Sequence, residues 1–390
     1  MIVNKTSNNA KSANFIRSVF ALVGTIIGVG IYGIPYASAQ SGFFVGLAYL
    51  IILGLVTLII LRAYGEVVVH TPGHGRLISF LRKYTNPLVS HMGAVALVGS
   101  WWGALVAYII IGGTFLNQIF SNFDFGSQFF YQIVFFAIAS ALVLGGLGFV
   151  SKIESVFVCA LLAVFILIFI KATPQIASEN LFTADYSNML LPYGVILFAF
   201  GGLGAIPEMR DILGQNKKLL LRAIMAGVAI SAVVYIFFSA VVVGIAGDST
   251  SKDALSSLIP SLGQLLSVAA PILGFFTVIT SFLMLSINAV DTFVYDYKIR
   301  FLPAWLLTIG VPFLAFLLGA RDFISVIGFT GSILGGALGM IVLYMHERAR
   351  KILSRLHLGR LSTPRFAVSI AAIVLVFGVI GEVVYYFISL

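Results

Sequence analysis

The chain has 390 residues, 60% hydrophobic and only 9% charged, with a mean hydropathy of +1.08. A soluble domain carries roughly a quarter charged residues, so the composition excludes long soluble domains and describes a polytopic membrane protein. A net charge of +9 invites a nucleic-acid reading, but the placement of the charges ties them to membrane topology instead. The single Cys159 excludes a disulfide framework and a Cys-based metal site.

The first residues, MIVNKTSNNAKSAN, are polar and slightly basic. The apolar run after them enters glycine and proline breaks with no small-residue cleavage site, so it reads as a span and not as a signal peptide. About 20 apolar residues cross a bilayer. Eleven segments of that length follow, at 15–40, 42–69, 88–119, 129–149, 153–172, 190–213, 219–247, 264–295, 301–319, 322–345 and 365–389. The polar stretch HTPGHGRLISFLRKYTNP parts the second from the third. Lys and Arg favour the cytoplasmic side. With the N-terminus inside, only Lys171, Lys252 and Arg321 of the 23 basic residues fall outside. The reading is a multi-pass protein of the plasma (inner) membrane, with its N-terminus cytoplasmic and its C-terminus outside.

The first segment contains VGTIIGVGIYGIP, Val23–Pro35, with Gly24, Gly28, Gly30 and Gly33. Glycine weakens a helix interior, and proline removes a donor and clashes with the preceding turn. Such breaks at membrane depth are tolerated where they line a cavity or are buried in protein. The sixth segment repeats the pattern as VILFAFGGLGAIP, Val195–Pro207. Gly30 faces Gly202, Ile34 faces Ile206 and Pro35 faces Pro207. Each has an apolar first half, a glycine-rich centre and a proline expected before its second half. The two lie five segments apart. An odd offset inverts the second half of the chain in the membrane. Paired interrupted segments in inverted halves point to a secondary transporter with its site at the midplane.

TIIGVGIYGIPYA at 25–37 resembles the first-helix motif of the amino acid–polyamine–organocation superfamily. PYGVILFAFGGLGAIPEMRD at 192–211 resembles the sixth-helix motif of its amino acid/auxin permease branch, to which bacterial aromatic amino acid permeases are close. The resemblance implies an all-α, LeuT-type fold with a five-plus-five inverted repeat and discontinuous helices one and six. One transporter domain would fill residues 1–390, with a first repeat at 15–172, a second at 190–345 and an extra helix at 365–389. It also implies amino acid transport by alternating access.

An amino acid carries a carboxylate and an ammonium. Half-helix N-termini have free N–H groups and positive dipole ends, which suit the carboxylate. Gly28, Val29, Gly30 and Ile31 would supply those donors. The free carbonyls at the end of an interrupted half-helix suit the ammonium. Ile27, Phe198, Ala199, Phe200 and Gly201 would supply them, and the superfamily resemblance points to the same positions. Phe200, just before the break, could cap the substrate as a gate. Tyr108 in segment three is an intramembrane phenol able to bond ligand or a neighbouring helix. Trp101 and Trp102 would border the cavity.

The coupling ion has two readings. Transporters of this fold often hold sodium between segments one and eight, and segment eight offers Thr277, Thr280, Ser281, Ser286 and Asn288. Against this stands Lys152 in GFVSKIES. Proton-coupled and sodium-independent members of the superfamily place a lysine there, its ammonium replacing the sodium. Lys152 would then reach the carbonyls of Gly24 or Ile27 and the hydroxyl of Ser281, with Thr280 beside it. A desolvated lysine has a lowered pKa and can release a proton; the plainer role is snorkelling to the interface. Glu66, Glu208, Asp211, Asp291, Asp296 and Glu382, near membrane depth, are further functional candidates, with a solvated helix end the plainer reading of Asp296.

The reading is therefore a secondary amino acid transporter, proton-coupled or sodium-independent. It is not an enzyme and needs no cofactor, metal or nucleic acid. Its partners are an amino acid, a proton or sodium ion and the bilayer. A sodium-coupled symporter and an amino-acid-binding sensor stay open, as do the substrate, the direction of transport and the oligomeric state.

Overall fold

In hydrocarbon every backbone polar group must be satisfied inside its own segment, and long apolar runs meet that demand as helices. The computed structural model describes residues 2–73, 75–121, 126–145, 160, 163–183, 185–214, 216–355 and 361–388, and these are helices and their connections, with no strand among them. The first segment is two helices, α1 (Ile2–Ile26) and α2 (Gly30–Ser41), bent by 56°. Only Gly42 parts α2 from α3 (Phe43–His70), with a φ of 99° that glycine alone adopts without strain.

The polar stretch holds a short helix that the span-length criterion passed over, α4 (Leu77–Tyr84). It buries Leu77, Ile78, Phe80, Leu81 and Tyr84 and leaves Arg82 and Lys83 exposed. Then come α5 (Pro87–Ile119), capped by Asn86, and α6 (Gln128–Leu144), capped by Ser127. The end of segment four and the start of segment five lie outside the described residues. Helix α7 (Ala163–Gln175) is the described part of segment five.

Segment six is again two helices, α8 (Leu191–Ala199) and α9 (Ala205–Leu213). Helix α10 (Lys217–Ala246) is capped by Asn216. Helix α11 (Leu255–Tyr295) begins ahead of the predicted segment eight and kinks at Gly263, at φ 71°. Helix α12 (Phe301–Leu317) follows. Segment ten is α13 (Phe323–Phe329), a π turn at Thr330–Gly335, and α14 (Gly336–Arg355), which runs past the predicted end at 345. The chain closes with α15 (Arg365–Ile388).

All eleven predicted segments thus contain helix. Six helices are long and apolar enough to cross a membrane alone, and α1 with α2 forms a broken span. The prolines are placed differently from the sequence pattern. Helix resumes at Gly30 and Ala205, so Pro35 and Pro207 lie inside the second half-helices and not before them. Pro207 sits in a first turn, where an N–H has no intrahelical partner to lose. The breaks belong to the glycines.

Packing follows the inverted repeat. α3 packs on α10 and α5 on α11, each helix meeting its counterpart from the other half. The pairing of α5 with α6 recurs as α11 with α12, and that of α1 with α10 recurs as α8 with α3. Leu55, Val95, Phe366 and Phe377 point outward, as lipid-facing side chains do. Between helices in lipid, small residues let backbones approach closely. A Cβ added at Gly194 of α8 would lie 2.2 Å from the Gly328 carbonyl oxygen of α13.

Gly194→Ala therefore wedges α8 off α13 and is expected to cost about 1–3 kcal/mol or more. Gly310→Ala on α12, where an added Cβ meets nothing within 4 Å, is expected to be neutral or to gain about 0.5–1 kcal/mol. Thermal unfolding of the detergent-solubilised protein reads both.

Candidate functional site

The two breaks come together at the centre of the molecule. A Cβ at Gly30, the first residue of α2, would lie 2.6 Å from Ala199 Cα, at the last residue of α8. Helix α1 closes with Ile27 N–H donating to Val23 O at 2.7 Å and Gly28 N–H to Ile26 O at 2.9 Å. The Ile31 and Tyr32 amides turn back to the Gly28 and Val29 carbonyls at 3.4 and 3.2 Å. Among the described residues the Val29 and Gly30 amides have no backbone acceptor. Both are buried, at the positive end of the α2 dipole. In segment six, Gly201 N–H donates to Phe198 O at 3.0 Å and ends α8, and α9 opens on Gly202 O and Leu203 O.

Tyr235 of α10 joins the two ends. Its Oη donates toward Ile26 O at 2.6 Å and Ala199 O at 2.8 Å, one carbonyl from each broken helix. The side chain is fully buried, and its ring meets Phe200 edge-on at 5.3 Å. Sequence reasoning did not single out Tyr235. Its one signal is a phenol in the apolar run SAVVYIFFSA, since a buried tyrosine hydroxyl normally finds a partner.

Of the expected substrate residues, Ile27, Gly28, Val29, Gly30 and Ile31 are all buried at the first break. The Tyr108 hydroxyl reaches them, 3.5 Å from the place of a Cβ on Gly28. Ala199 and Phe200 are buried, Phe198 is half-buried and Gly201 is exposed. The Phe200 ring lies against Gly54 of α3 and Tyr235 of α10. Trp102 donates to Leu307 O at 3.1 Å and ties α5 to α12. A cleft of about 400 Å³, lined by Arg82, Ser90, His91 and Tyr297 among others, lies at the α4–α5 junction and contains no residue of either break.

The described members of the expected coupling set lie on α1 and α11. Gly24 is half-buried on α1, which packs on α9 and α10. Thr280 and Ser281 are on α11, whose main partners are α5, α6, α10 and α12. Thr280 donates to Phe276 O and Thr277 O at 3.0 Å, and Thr277 to Leu273 O at 2.8 Å, so both hydroxyls bond their own helix. Ser281 is half-buried. Lys152 and Glu154 lie outside the described residues.

The two sides of the site differ in burial. Tyr32 of α2 packs edge-on to Phe115 of α5 at 4.9 Å, and both rings are fully buried. Beyond them Lys252 pairs with Asp322 and sits over the Tyr36 ring, and Gln118 donates to Asp253 at 2.7 Å. Toward the N-terminal face, Thr25, Gly201, Gly204 and Asn288 are exposed, and a Cβ at Gly204 would meet nothing within 4 Å. On that face Arg76 bonds Asn288 O and pairs with Asp291 at 3.7 Å. Arg210 is buried with Asp211 3.9 Å away, and Glu208 is exposed.

Glu66, a functional candidate from its depth, proves to be an anchor. It is fully buried on α3 and accepts from the Ser362 and Thr363 amides at 2.9 and 3.2 Å and from the Ser362 hydroxyl, with His346 Nε2 of α14 at 3.2 Å. It fastens the approach to α15. No local sequence signal links these residues, which come from three distant parts of the chain.

Two matched breaks inside an inverted five-plus-five helix bundle define a LeuT-type membrane protein. The fold matches MhsT in complex with L-phenylalanine with a TM-score of 0.70 at 17% identity, over 93% of this chain and 98% of that one. It matches Mhp1, a nucleobase-cation-symport-1 family transporter in a closed conformation, with a TM-score of 0.60 at 12% identity, over 93% and 91%. The model of the tryptophan/tyrosine permease family matches residues 11–385, and the chain belongs to that family, within the amino acid–polyamine–organocation superfamily. Tyrosine-specific transport system 1 of Haemophilus influenzae is 26% identical over 57% of this chain and 56% of its own length. Glutamine transporter 2 of Aliivibrio fischeri is 26% identical over 87% and 92%, and the low affinity tryptophan permease of Escherichia coli K12 is 24% identical over 69% and 66%. This chain thus spans little more than half of the first relative and most of the second.

Two expectations follow. Glu66→Ala leaves the Thr363 amide buried and unpaired, and is expected to destabilise the fold by about 1–3 kcal/mol, read by thermal unfolding. The Asp322 carboxyl is raised by partial burial, but the Lys252 ammonium and the Ser325 amide and hydroxyl outweigh this and hold it below the usual carboxylate range. The clasp is therefore intact at neutral pH and lost only as the pH falls through that depressed value. Both side chains are about half exposed, so Asp322→Asn is expected to raise impermeant-maleimide labelling of a Tyr36→Cys probe by no more than about fivefold at neutral pH.

Proposed function

We propose that this protein is a secondary active transporter that moves an amino acid across the cytoplasmic (inner) membrane by alternating access, with its N-terminus in the cytoplasm. The observation that carries the reading is the meeting of the two breaks. Free Val29 and Gly30 amides at one helix start lie beside carbonyl ends that suit an ammonium, and both sit midway through a membrane bundle. Family membership supports amino acid transport, since the relatives bear the names of tyrosine, tryptophan and glutamine transporters. Aromatic amino acids lead the substrate list on the same ground. Closure at Tyr32 and Phe115, with exposure at Gly201 and Gly204, fits the inward-open arm of such a cycle.

Coupling is read as proton-driven or sodium-independent, through Lys152. The support is indirect. GFVSKIES resembles the stretch in which proton-coupled and sodium-independent members of the superfamily carry a lysine. Ser281 is a half-buried hydroxyl on α11 whose oxygen can accept from an ammonium.

Uptake of labelled tyrosine, tryptophan, phenylalanine and glutamine into proteoliposomes, with pH and sodium gradients imposed separately, tests the reading. Uptake of at least one amino acid, driven by the pH gradient or independent of sodium and lost in Lys152→Ala, is expected. Sodium-driven, pH-insensitive uptake would overturn the coupling assignment, and wild-type liposomes that take up none of the four would overturn the transport reading.

A further inference from the structure

We propose that Tyr235 is a positioning residue of the ammonium subsite: its hydroxyl ties the carbonyl ends of the two broken helices together and yields Ala199 O to the substrate's ammonium when an amino acid binds. The proposal deepens the transport reading and rests on it.

The argument is one of counting donors and lone pairs. A phenol has a single O–H, yet Tyr235 Oη lies at 2.6 Å from Ile26 O and 2.8 Å from Ala199 O. One proton cannot serve both carbonyls fully. Ile26 O also accepts from the Gly28 amide at 2.9 Å, so its two lone pairs are engaged. Ala199 O keeps acceptor capacity, and it belongs to the residue against which Gly30 packs. The hydroxyl can therefore settle on Ile26 O alone and leave Ala199 O to an N–H of the ligand.

The surroundings allow that and little else. The Tyr235 ring is fully buried, and Phe200 is packed edge-on against it. Motion is confined to rotation of the hydroxyl about its C–O bond. A tyrosine that needed only a partner would be satisfied by one carbonyl. Here the two acceptors come from opposite halves of the inverted repeat, and they are the ends of the two interrupted helices. Helix α10 packs on α1, α2 and α3, so the same hydroxyl holds the spacing between the two breaks.

The test uses the full chain in proteoliposomes. Uptake of L-tyrosine, or of whichever panel amino acid the wild type takes up best, is competed by the unlabelled parent, its N-methyl derivative and its methyl ester. In Tyr235→Phe both carbonyls lose the phenol, and Ile26 O keeps only the Gly28 amide. An ammonium with three N–H groups fills them better than one with two. The ratio of half-inhibition constants, N-methyl over parent, is expected to rise about threefold to tenfold, and the ester-to-parent ratio to stay within about twofold. Should Tyr235→Phe fail to fold, 3,5-difluorotyrosine at position 235 keeps the shape, strengthens the donor and is expected to move the N-methyl ratio the other way. A uniform weakening of all three ligands, or no change in either ratio, overturns the proposal and leaves Tyr235 as a packing residue. Wild-type protein that takes up no amino acid overturns the transport reading along with it.

Discussion

A peptide group freed in the middle of a bilayer has no water to bond, and leaving it unpaired costs several kcal/mol. This chain interrupts two of its spans, at Ile27–Val29 and at Phe200–Gly204. The surrounding architecture reads as the answer to that cost. The first break is buried throughout, Gly30 is pressed against Ala199, and the Tyr235 hydroxyl reaches the carbonyl end of each half-helix. Helices α3 and α10 pack on each other and both pack on the broken helices. The Val29 and Gly30 amides, which have no backbone acceptor among the described residues, lie where the two breaks meet.

The two faces of the bundle are built differently around that centre. On one side aromatic rings and charged pairs close over the site: Tyr32 on Phe115, then Lys252 with Asp322. On the N-terminal side the wall is thinner, and Gly204 faces open space. An inverted repeat makes such asymmetry natural. Two halves of similar shape cannot both adopt the same arrangement toward the same face, and exchanging their roles exchanges the open side. The ion pairs that hold the closed side are half exposed, and surface pairs of this kind contribute about 0–1 kcal/mol. They can hold a state without locking it. The Glu66 anchor is of another kind, fully buried and accepting from two backbone amides.

Much of this was legible in the sequence, for physical reasons that can be named. A span is a local property, and all eleven apolar runs contain helix. The breaks were legible because glycine clusters at membrane depth have few explanations. Assigning part of the interruption to Pro35 and Pro207 was wrong, since both are accommodated inside α2 and α9. Helix α4 was passed over because its eight residues are too few to span and its apolar face is diluted by Arg82 and Lys83. The contacts that complete the site were out of reach. Tyr235 meets carbonyls 209 and 36 residues away, and Glu66 meets partners about 280 to 297 residues on. Such pairings are fixed by the fold of the inverted halves, which a single sequence does not reveal at side-chain detail.

The most direct measurement of the central claim is an experimental structure of the protein with an amino acid bound. The account predicts the ligand between the two interruptions, with its carboxylate on the Val29 and Gly30 amides and its ammonium on Ala199 O. An amino acid bound elsewhere, or continuous helix through residues 27–29 and 200–204, would contradict it.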